Sequence, residues 1–226
     1  MTILASDITE RLETTLHDLG AVRWPIADQW KAIDDAQNSL LESRPDLFEV
    51  TEEVQLRDIG VKQRVPENCF VVFDITYNLN TEKIPFSGIV KTSRAILDRS
   101  YMGWMVAPSS PRMQHWMQDI RERAYFWAYP PVSNDPDTGQ PGFVVMRYAK
   151  RPTKVADAAQ ALDSPDEMIN GVYYFAMTRL LEKDEKFAGS PQAEMFLQKY
   201  AMVIGARTQA DSQKSTIAKA NEEGVG

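Results

Sequence analysis

The strongest constraint on the fold is a long amphipathic helix predicted between Gly20 and Asp46. This stretch reads GAVRWPIADQWKAIDDAQNSLLESRPD. Pro25 suits the first helical position because its missing N–H has no intrahelical partner there, and Pro45 ends the helix because the residue before a proline is pushed out of the helical region. The residues of the stripe recur at a helical spacing and comprise Ile26, Trp30, Ile33, Ala36 or Gln37, Leu40 and Leu41. A helix with one apolar face must bury that face against other segments.

The overall composition predicts a folded, soluble protein that needs no disulfide. The chain has 226 residues, of which 43% are hydrophobic and 25% charged, as in ordinary globular proteins of one large or two small domains. Cys69 is the single cysteine, so a reducing compartment is expected. The N-terminus has no secretory pattern, and no apolar run reaches the roughly 20 residues of a membrane span. The net charge of −7 disfavours tight wrapping of nucleic acid, which requires lysines and arginines.

Both ends of the chain are predicted to be helical. Asp7, with Glu10 three residues later, resembles a capping box that starts a first helix before Gly20. Ser164-Pro165-Asp166-Glu167 repeats that pattern near the other end, and a further helix restarts at Ser190-Pro191. Polar residues dominate after Arg207, too polar to bury a face, so we expect a mobile tail in the free protein.

The middle of the chain is predicted to be β-rich. Cys69–Tyr77 is rich in β-branched and aromatic residues, which favour strands. Arg123–Tyr129 and Phe143–Lys150 flank a stretch dense in turn residues, which indicates a hairpin with a long tip. A short helix is predicted within this region at Ser93–Tyr101.

The sequence therefore predicts an α+β fold, in which a four-helix bundle from both chain ends carries an inserted β-rich domain and an extended C-terminal tail. The predicted divisions are N-terminal bundle helices at 1–46, the inserted domain at 47–163, C-terminal bundle helices at 164–206 and the tail at 207–226. The predicted bundle core comprises Trp24, Trp30, Ile33, Leu40, Val172, Phe175, Phe196 and Tyr200.

The sequence contains no recognisable catalytic or metal-binding pattern. His17 and His115 are the two histidines and lie far from Cys69 along the chain, so their spacing supports neither a Cys/His metal site nor a Cys-His dyad. The acidic turn before Gly139 lacks the glycine and glutamate that a calcium loop requires. Phosphate-loop, dinucleotide-binding and hydrolase signatures are also absent. We therefore expect no enzymatic activity, no metal and no cofactor.

An aromatic strand offers a second interpretation of the middle region. Strand alternation sends Tyr125, Trp127 and Tyr129 to one face and Phe126 to the other. Such a row could stack on sugars or bases if it were exposed, whereas a packed sheet would bury it, and the packed sheet is the favoured interpretation.

Three segments in order carry a family resemblance. They are GAVRWPIADQWKAIDDAQNSLLESRPDLF, RAYFWAYPPV and DEMINGVYYFAMTRLLEKDEKFAGSPQAEMFLQKYAMVIG. The first segment has a Trp-Pro helix start and a helix that ends in Arg-Pro-Asp. The second is a strand that ends in Tyr-Pro-Pro, and the third is a late helix pair with a small-residue turn. Together they resemble the phage head-to-tail adaptor (connector) family, which includes tail tubular protein A of short-tailed phages. The resemblance covers residues 20–206.

The resemblance implies a structural virion protein that forms a ring, typically a dodecamer, between the portal and the tail nozzle. The implied partners are the portal protein, the nozzle protein, other copies of this chain and tail fibres. Genomic DNA would pass through the bore without specific binding, and no membrane is involved. The implied location is the neck of the virion, and the host cytoplasm during assembly. In relatives a C-terminal extension reaches the portal, which assigns a docking role to Arg207, Gln209, Gln213, Lys214, Ile217 and Val225.

Charge and family resemblance together suggest an acidic bore. Carboxylates that line a channel repel phosphates and let DNA slide, and Asp34 and Asp35 are the predicted channel-facing residues. The alternative function is a glycan-binding tail accessory module that would use the exposed aromatic side chains of residues 123–129.

Overall fold

The computed structural model describes residues 3–80, 82–119, 121–136, 139–184 and 186–205. These residues form two compact units, of which one joins the chain up to Leu47 to the chain from Pro152 onward, and the other is Phe48–Arg151. The helices are α1 (Ala5–Leu16), α2 (Ile26–Ser43), α3 (Arg94–Ser100), α4 (Ile169–Lys183) and α5 (residues 191–205). The strands are β1 (Glu49–Gln55), β2 (Gly60–Arg64), β3 (Cys69–Leu79), β4 (Pro85–Gly88), β5 (Val90–Lys91), β6 (His115–Met117), β7 (Tyr125–Val132) and β8 (Phe143–Lys150).

The predicted four-helix bundle is wrong, although the described chain is a mixed α+β fold with five helices and two sheets. In the helical unit α2 and α4 pack along each other, whereas the shorter α1 contacts each of them over a smaller area. A non-helical segment also lies against α2, because the N–H groups of Asp163 and Ser164 donate to Gln37 Oε1 at 3.0 and 3.3 Å. In a four-helix bundle this part of α2 would pack against apolar side chains of another helix. Here the Gln37 side chain binds the backbone of a non-helical segment instead.

The inserted β-rich region fits the prediction in part. Phe48–Arg151 forms a compact unit with both sheets, but residues 152–163 belong to the helical unit. The reason is local bonding to α2: Val155 donates its N–H to Asp34 Oδ1 at 2.8 Å, beside the bonds that Gln37 accepts.

Two helix starts differ from their predicted caps. Asp7 lies inside the first turn of α1 rather than before it, and its Oδ2 accepts the N–H of Leu4 at 2.9 Å. Ser164 does not cap α4, since its hydroxyl is buried without a described partner and a 3₁₀ turn, Asp166–Met168, comes between them. In both cases the capping-box spacing was present, but the helix begins in a different register.

The β-rich unit contains two four-stranded sheets that share a core. One sheet has the order β1-β8-β3-β4 and is antiparallel, and the other has the order β2-β7-β6-β5, with β5 and β6 parallel. Ile75, Met146 and Tyr148 of the first sheet and Trp116 and Phe126 of the second are all fully buried in one apolar cluster. The alternation along β7 buries Phe126 and leaves its neighbours half-buried, as period-two geometry requires.

Candidate assembly surfaces

The segment 96–106 exposes a cluster of apolar side chains that we call the α3 ridge. Its members are Ile96, Met102, Met105 and Val106, and Met102 and Val106 are 98% and 87% exposed. Monomeric proteins rarely leave large apolar side chains in one patch fully in water, so such patches commonly mark protein interfaces. Methionine is well suited to such a surface because it is flexible and polarizable.

The α3 ridge is held in place by buried anchors on the same segment. Ser93 caps α3 by accepting the N–H of Ile96, and Leu97 is buried in a small cluster with Trp104 and Met117. Trp104 also donates its indole N–H to Asp98 Oδ1 at 2.8 Å. The backbone of the α3 ridge is therefore fixed before binding. This favours specific contact, because little conformational entropy is lost when a partner binds.

A groove of about 340 Å³ opens beside the α3 ridge. Met105, Met117 and Trp127 contribute apolar walls, while Arg94 and Asp119 bring charges of both signs. An apolar floor with a polar rim is typical of the places where partner side chains insert.

Two further apolar surfaces lie on the helical unit. The loop between α1 and α2 exposes Leu19 and Val22 at 78% and 84%. The outer face of α5 exposes Met195 and Met202, which lie seven residues apart, and Leu197 is exposed at the edge of the buried face. None of these residues was predicted to form an interface, because the spacing of apolar residues does not separate an interface from a core.

The loop before α2 is built around the carboxylate of Asp18. It accepts the N–H groups of Val22, Arg23 and Trp24, the last at 2.8 Å. These hydrogen bonds, with that from Trp24 the strongest, hold the pKa of Asp18 below its usual range although burial opposes them. Arg23 in turn donates to Asp184 Oδ2 at 2.7 Å, so the loop that carries Leu19 and Val22 has a defined shape.

The residues proposed for a bundle core occupy different environments in the helical unit. Trp24, Ile33, Leu40, Val172, Phe196 and Tyr200 are buried, and Trp30 and Phe175 are half-buried. Trp24 donates its indole N–H to the carbonyl oxygen of Leu180 at 3.2 Å, which ties the loop before α2 to α4. The hydroxyls of Tyr200 and Ser39 lie 2.8 Å apart, which ties α5 to α2.

The two aspartates proposed to face a channel have partners within the helical unit. Asp34 accepts the N–H of Val155, and burial raises the pKa of Asp34 above its usual range although that bond opposes the shift. Asp35 Oδ2 lies 3.4 Å from Arg179 Nε in a half-exposed ion pair. The channel role of both residues stays a prediction. The proposed portal-docking residues, from Arg207 to Val225, lie outside the described residues.

The aromatic row on β7 is covered by other side chains. Lys62 Nζ lies 4.3 Å from the ring centroid of Tyr125 and 5.6 Å from that of Trp127. The ring centroids of Tyr129 and Tyr101 are 4.6 Å apart. All three rings of the row are half-buried, so they do not form an open stacking platform.

The described residues contain no group of three or more His, Cys, Asp or Glu that could hold a metal ion. Burial raises the pKa of the Cys69 thiol to about 12, so the thiolate that nucleophilic chemistry requires is not formed near neutral pH. Within the same described part of the chain, no helix combines the length and apolar character needed to cross a membrane.

Comparison with known protein families matches residues 3–220 to the family model described as SU10 adaptor protein. None of the curated proteins compared with the chain matches it.

Proposed function

Because that family model covers residues 3–220, the chain belongs to the SU10 adaptor protein family of phage head-to-tail adaptors, and we propose that it forms a ring between portal and tail nozzle. The family makes it a structural phage protein of the virion that interacts with other head or tail proteins. The family match is the single observation that carries the proposal. We further propose that the ring is a dodecamer and that tail fibres also contact it.

The exposed apolar surfaces support an adaptor role. An adaptor in a ring must contact its own copies, a partner on the head side and a partner on the tail side. The α3 ridge, the loop with Leu19 and Val22, and the outer face of α5 provide three such surfaces on one chain. All three carry exposed aliphatic side chains, and the α3 ridge and α5 also carry the methionines that are enriched at protein interfaces.

The acidic character of the chain supports passage of DNA without specific binding. A net charge of −7 repels phosphates and disfavours the counterion release on which tight DNA binding depends. In this proposal DNA moves through the bore of the ring, and the residues from Arg207 to Gly226 act as an arm that docks on the portal.

Co-sedimentation with the portal protein of the same phage tests this function. The wild-type protein should sediment with the portal as a ring, and a chain that lacks residues 207–226 should bind more weakly. A chain with a scrambled order of those residues keeps their length and charge and is the matched control for sequence-specific docking. An unchanged complex after the deletion would reject the docking arm, whereas absence of any complex with wild type would reject the joining role.

Substitutions on the α3 ridge test its part in assembly. Met102→Glu combined with Val106→Glu should abolish co-sedimentation, because two charges would be buried in the contact. Ile59→Glu is the control, since Ile59 is also exposed but lies outside the ridge. The urea midpoint of each variant should equal that of wild type, and equal losses of assembly in both variants would show that the ridge has no special role.

Glycan binding has no observation in its favour. It would require open faces on Tyr125, Trp127 and Tyr129, but these rings are covered by Lys62 and Tyr101.

A further inference from the structure

A cleft of about 470 Å³ in the β-rich unit is lined by four arginines. It lies where β2 ends and where β3 and β7 begin, close to the end of β8. Arg57 and Arg64 lie seven residues apart, Arg123 and Arg151 come from distant positions, and Glu67 is the acidic residue of the lining. Such a concentration of guanidinium groups is unusual in a chain whose overall charge is negative.

Two of the four arginines are paired only weakly. Arg57 Nη1 lies 3.2 Å from Glu67 Oε1, and Arg64 Nε lies 3.6 Å from an Asp58 carboxylate oxygen. The side chain of Glu67 is 90% exposed, and ion pairs in water contribute little stability and exchange readily. An incoming carboxylate can therefore replace these partners at low cost.

The other two arginines have no carboxylate partner among the described residues. Arg123 makes no side-chain hydrogen bond or ion pair there, and Arg151 lies over the ring of Phe70 at 5.3 Å from its centroid. Arg151 is exposed, and the contact with the ring does not pair its charge with an anion. Each guanidinium can hold a carboxylate through two parallel N–H···O bonds, a geometry that lysine cannot provide.

The distribution of charge along the chain points to the chemistry of the ligand. Residues 48–151 carry 13 lysines and arginines and 12 aspartates and glutamates, a net charge of +1. The rest of the chain carries 12 basic and 20 acidic residues, a net charge of −8. A net charge near zero on residues 48–151 does not favour a long polyphosphate, whereas a protein segment with a few carboxylates needs only the guanidinium groups of the cleft.

We propose that this cleft binds a carboxylate-rich protein segment, with Arg123 and Arg151 as the main anchors. Arg57 and Arg64 add contacts by exchanging Glu67 and Asp58 for the incoming acids. The volume of the cleft accommodates a few side chains of an extended or helical segment. This proposal stands independently of the ring and portal roles, because it rests on the cleft and its unpaired charges.

Binding of a fluorescein-labelled oligoglutamate peptide to the full-length protein tests the site by fluorescence anisotropy at low ionic strength. Arg123→Gln with Arg151→Gln should weaken binding by about tenfold or more, because two charge-assisted bidentate contacts are lost. Arg99→Gln with Arg112→Gln is the matched control. It removes the same charge from the same unit, and Arg112 also lies over a ring, that of Phe86 at 4.7 Å.

The control variant should bind the peptide within about twofold of wild type, since exposed distant charges contribute little. Equal losses in the two variants would show general charge attraction and overturn the proposal, as would absence of peptide binding to wild type. A single-stranded oligothymidine serves as the competing probe. If it binds more tightly than the peptide and loses binding in the cleft variant, the site is a nucleic-acid site and the proposal is wrong. Thermal melting by circular dichroism establishes that both variants are folded.

Discussion

At the scale of single residues, carboxylates in the helical unit act in opposite electrostatic senses. Asp18 organises the loop before α2 through backbone N–H donors, which favour its ionised form, those from Trp24 and Arg23 above all. Partial burial instead disfavours the ionised form of Asp34, although the N–H of Val155 donates to its carboxylate. Their substitutions should therefore shift stability in opposite directions at neutral pH.

Asp18→Ala should lower the urea midpoint at neutral pH. The folded pKa of Asp18 lies below its unfolded value, so its stabilisation is present above the ordinary aspartate range near about pH 4 and is lost as pH falls through the folded pKa. The difference from wild type should shrink in strong acid. Urea unfolding at several pH values measures this, with Glu10→Gln as an exposed control on α1, and a difference that persists in strong acid would contradict the electrostatic account.

Asp34→Asn should raise the urea midpoint at neutral pH. Burial raises the folded pKa of Asp34, so ionisation costs stability as pH rises above the ordinary range, and asparagine avoids that cost while its Oδ1 still accepts the N–H of Val155. The gain should vanish in acid, where wild-type Asp34 is protonated. Asp35→Asn, which loses only a half-exposed ion pair with Arg179, should change the midpoint little. A destabilised Asp34→Asn at neutral pH would contradict this prediction.

At the scale of elements, α2 organises the helical unit through one buried face. Its apolar face carries Ile33 and Leu40, which are fully buried, and the sequence spacing predicted that stripe. Its contact with the segment 152–164 depends on Gln37, which is also fully buried. Gln37 lies four residues after Ile33 and three before Leu40, so it shares their face, and the spacing left either Ala36 or Gln37 at that step of the stripe. The pattern does not show what a buried glutamine binds.

Gln37→Leu should destabilise the protein by about 1–3 kcal/mol, because the buried N–H of Ser164 and the partly buried N–H of Asp163 would lose their acceptor. Asn38→Leu is the matched control on the next position of α2. Asn38 is exposed and bonds only to the Asp34 carbonyl in its own helix, so its loss should cost little. Urea unfolding measures the free energy of unfolding of both variants. Equal losses in Gln37→Leu and Asn38→Leu would show that the Gln37 contact does not contribute to stability.

At the scale of the whole molecule, the chain divides into two units with different charge and different secondary structure. The ends of the β-rich unit meet because β1 and β8 are antiparallel neighbours, with Glu49 opposite Ala149. A segment whose ends are paired in one sheet can be inserted between two helices without separating them. This arrangement explains why a helical unit can be assembled from both ends of the chain.

The segment Phe48–Arg151 should therefore fold when expressed alone. It has its own core of fully buried side chains, which includes Trp116, Phe126 and Tyr148, and its ends are already adjacent. Urea unfolding followed by tryptophan fluorescence should show one cooperative transition. Trp116→Ala within the same segment is a matched destabilised control that should move the transition to lower urea. A broad, non-cooperative change for the wild-type segment would contradict its independence.

The sequence by itself determined the helix-rich ends, the β-rich middle, the approximate bounds of α2 and the family. These depend on short-range patterns, namely helical spacing, proline positions and strand-forming runs, which can be read without knowing what lies across the fold. The exposed α3 ridge was not predictable in the same way, because Met102 and Val106 lie in a loop-like stretch without a period.

Only the tertiary structure decided which distant residues meet. The bundle prediction failed because periodicity identifies the face of α2 that is buried but not what covers it, and here Gln37 binds backbone from the segment 152–164. The basic cleft brings together Arg57, Arg64, Arg123 and Arg151 through the pairing of strands far apart in sequence. Strand order and register depend on long-range packing, so the local spacing of arginines cannot reveal such a site.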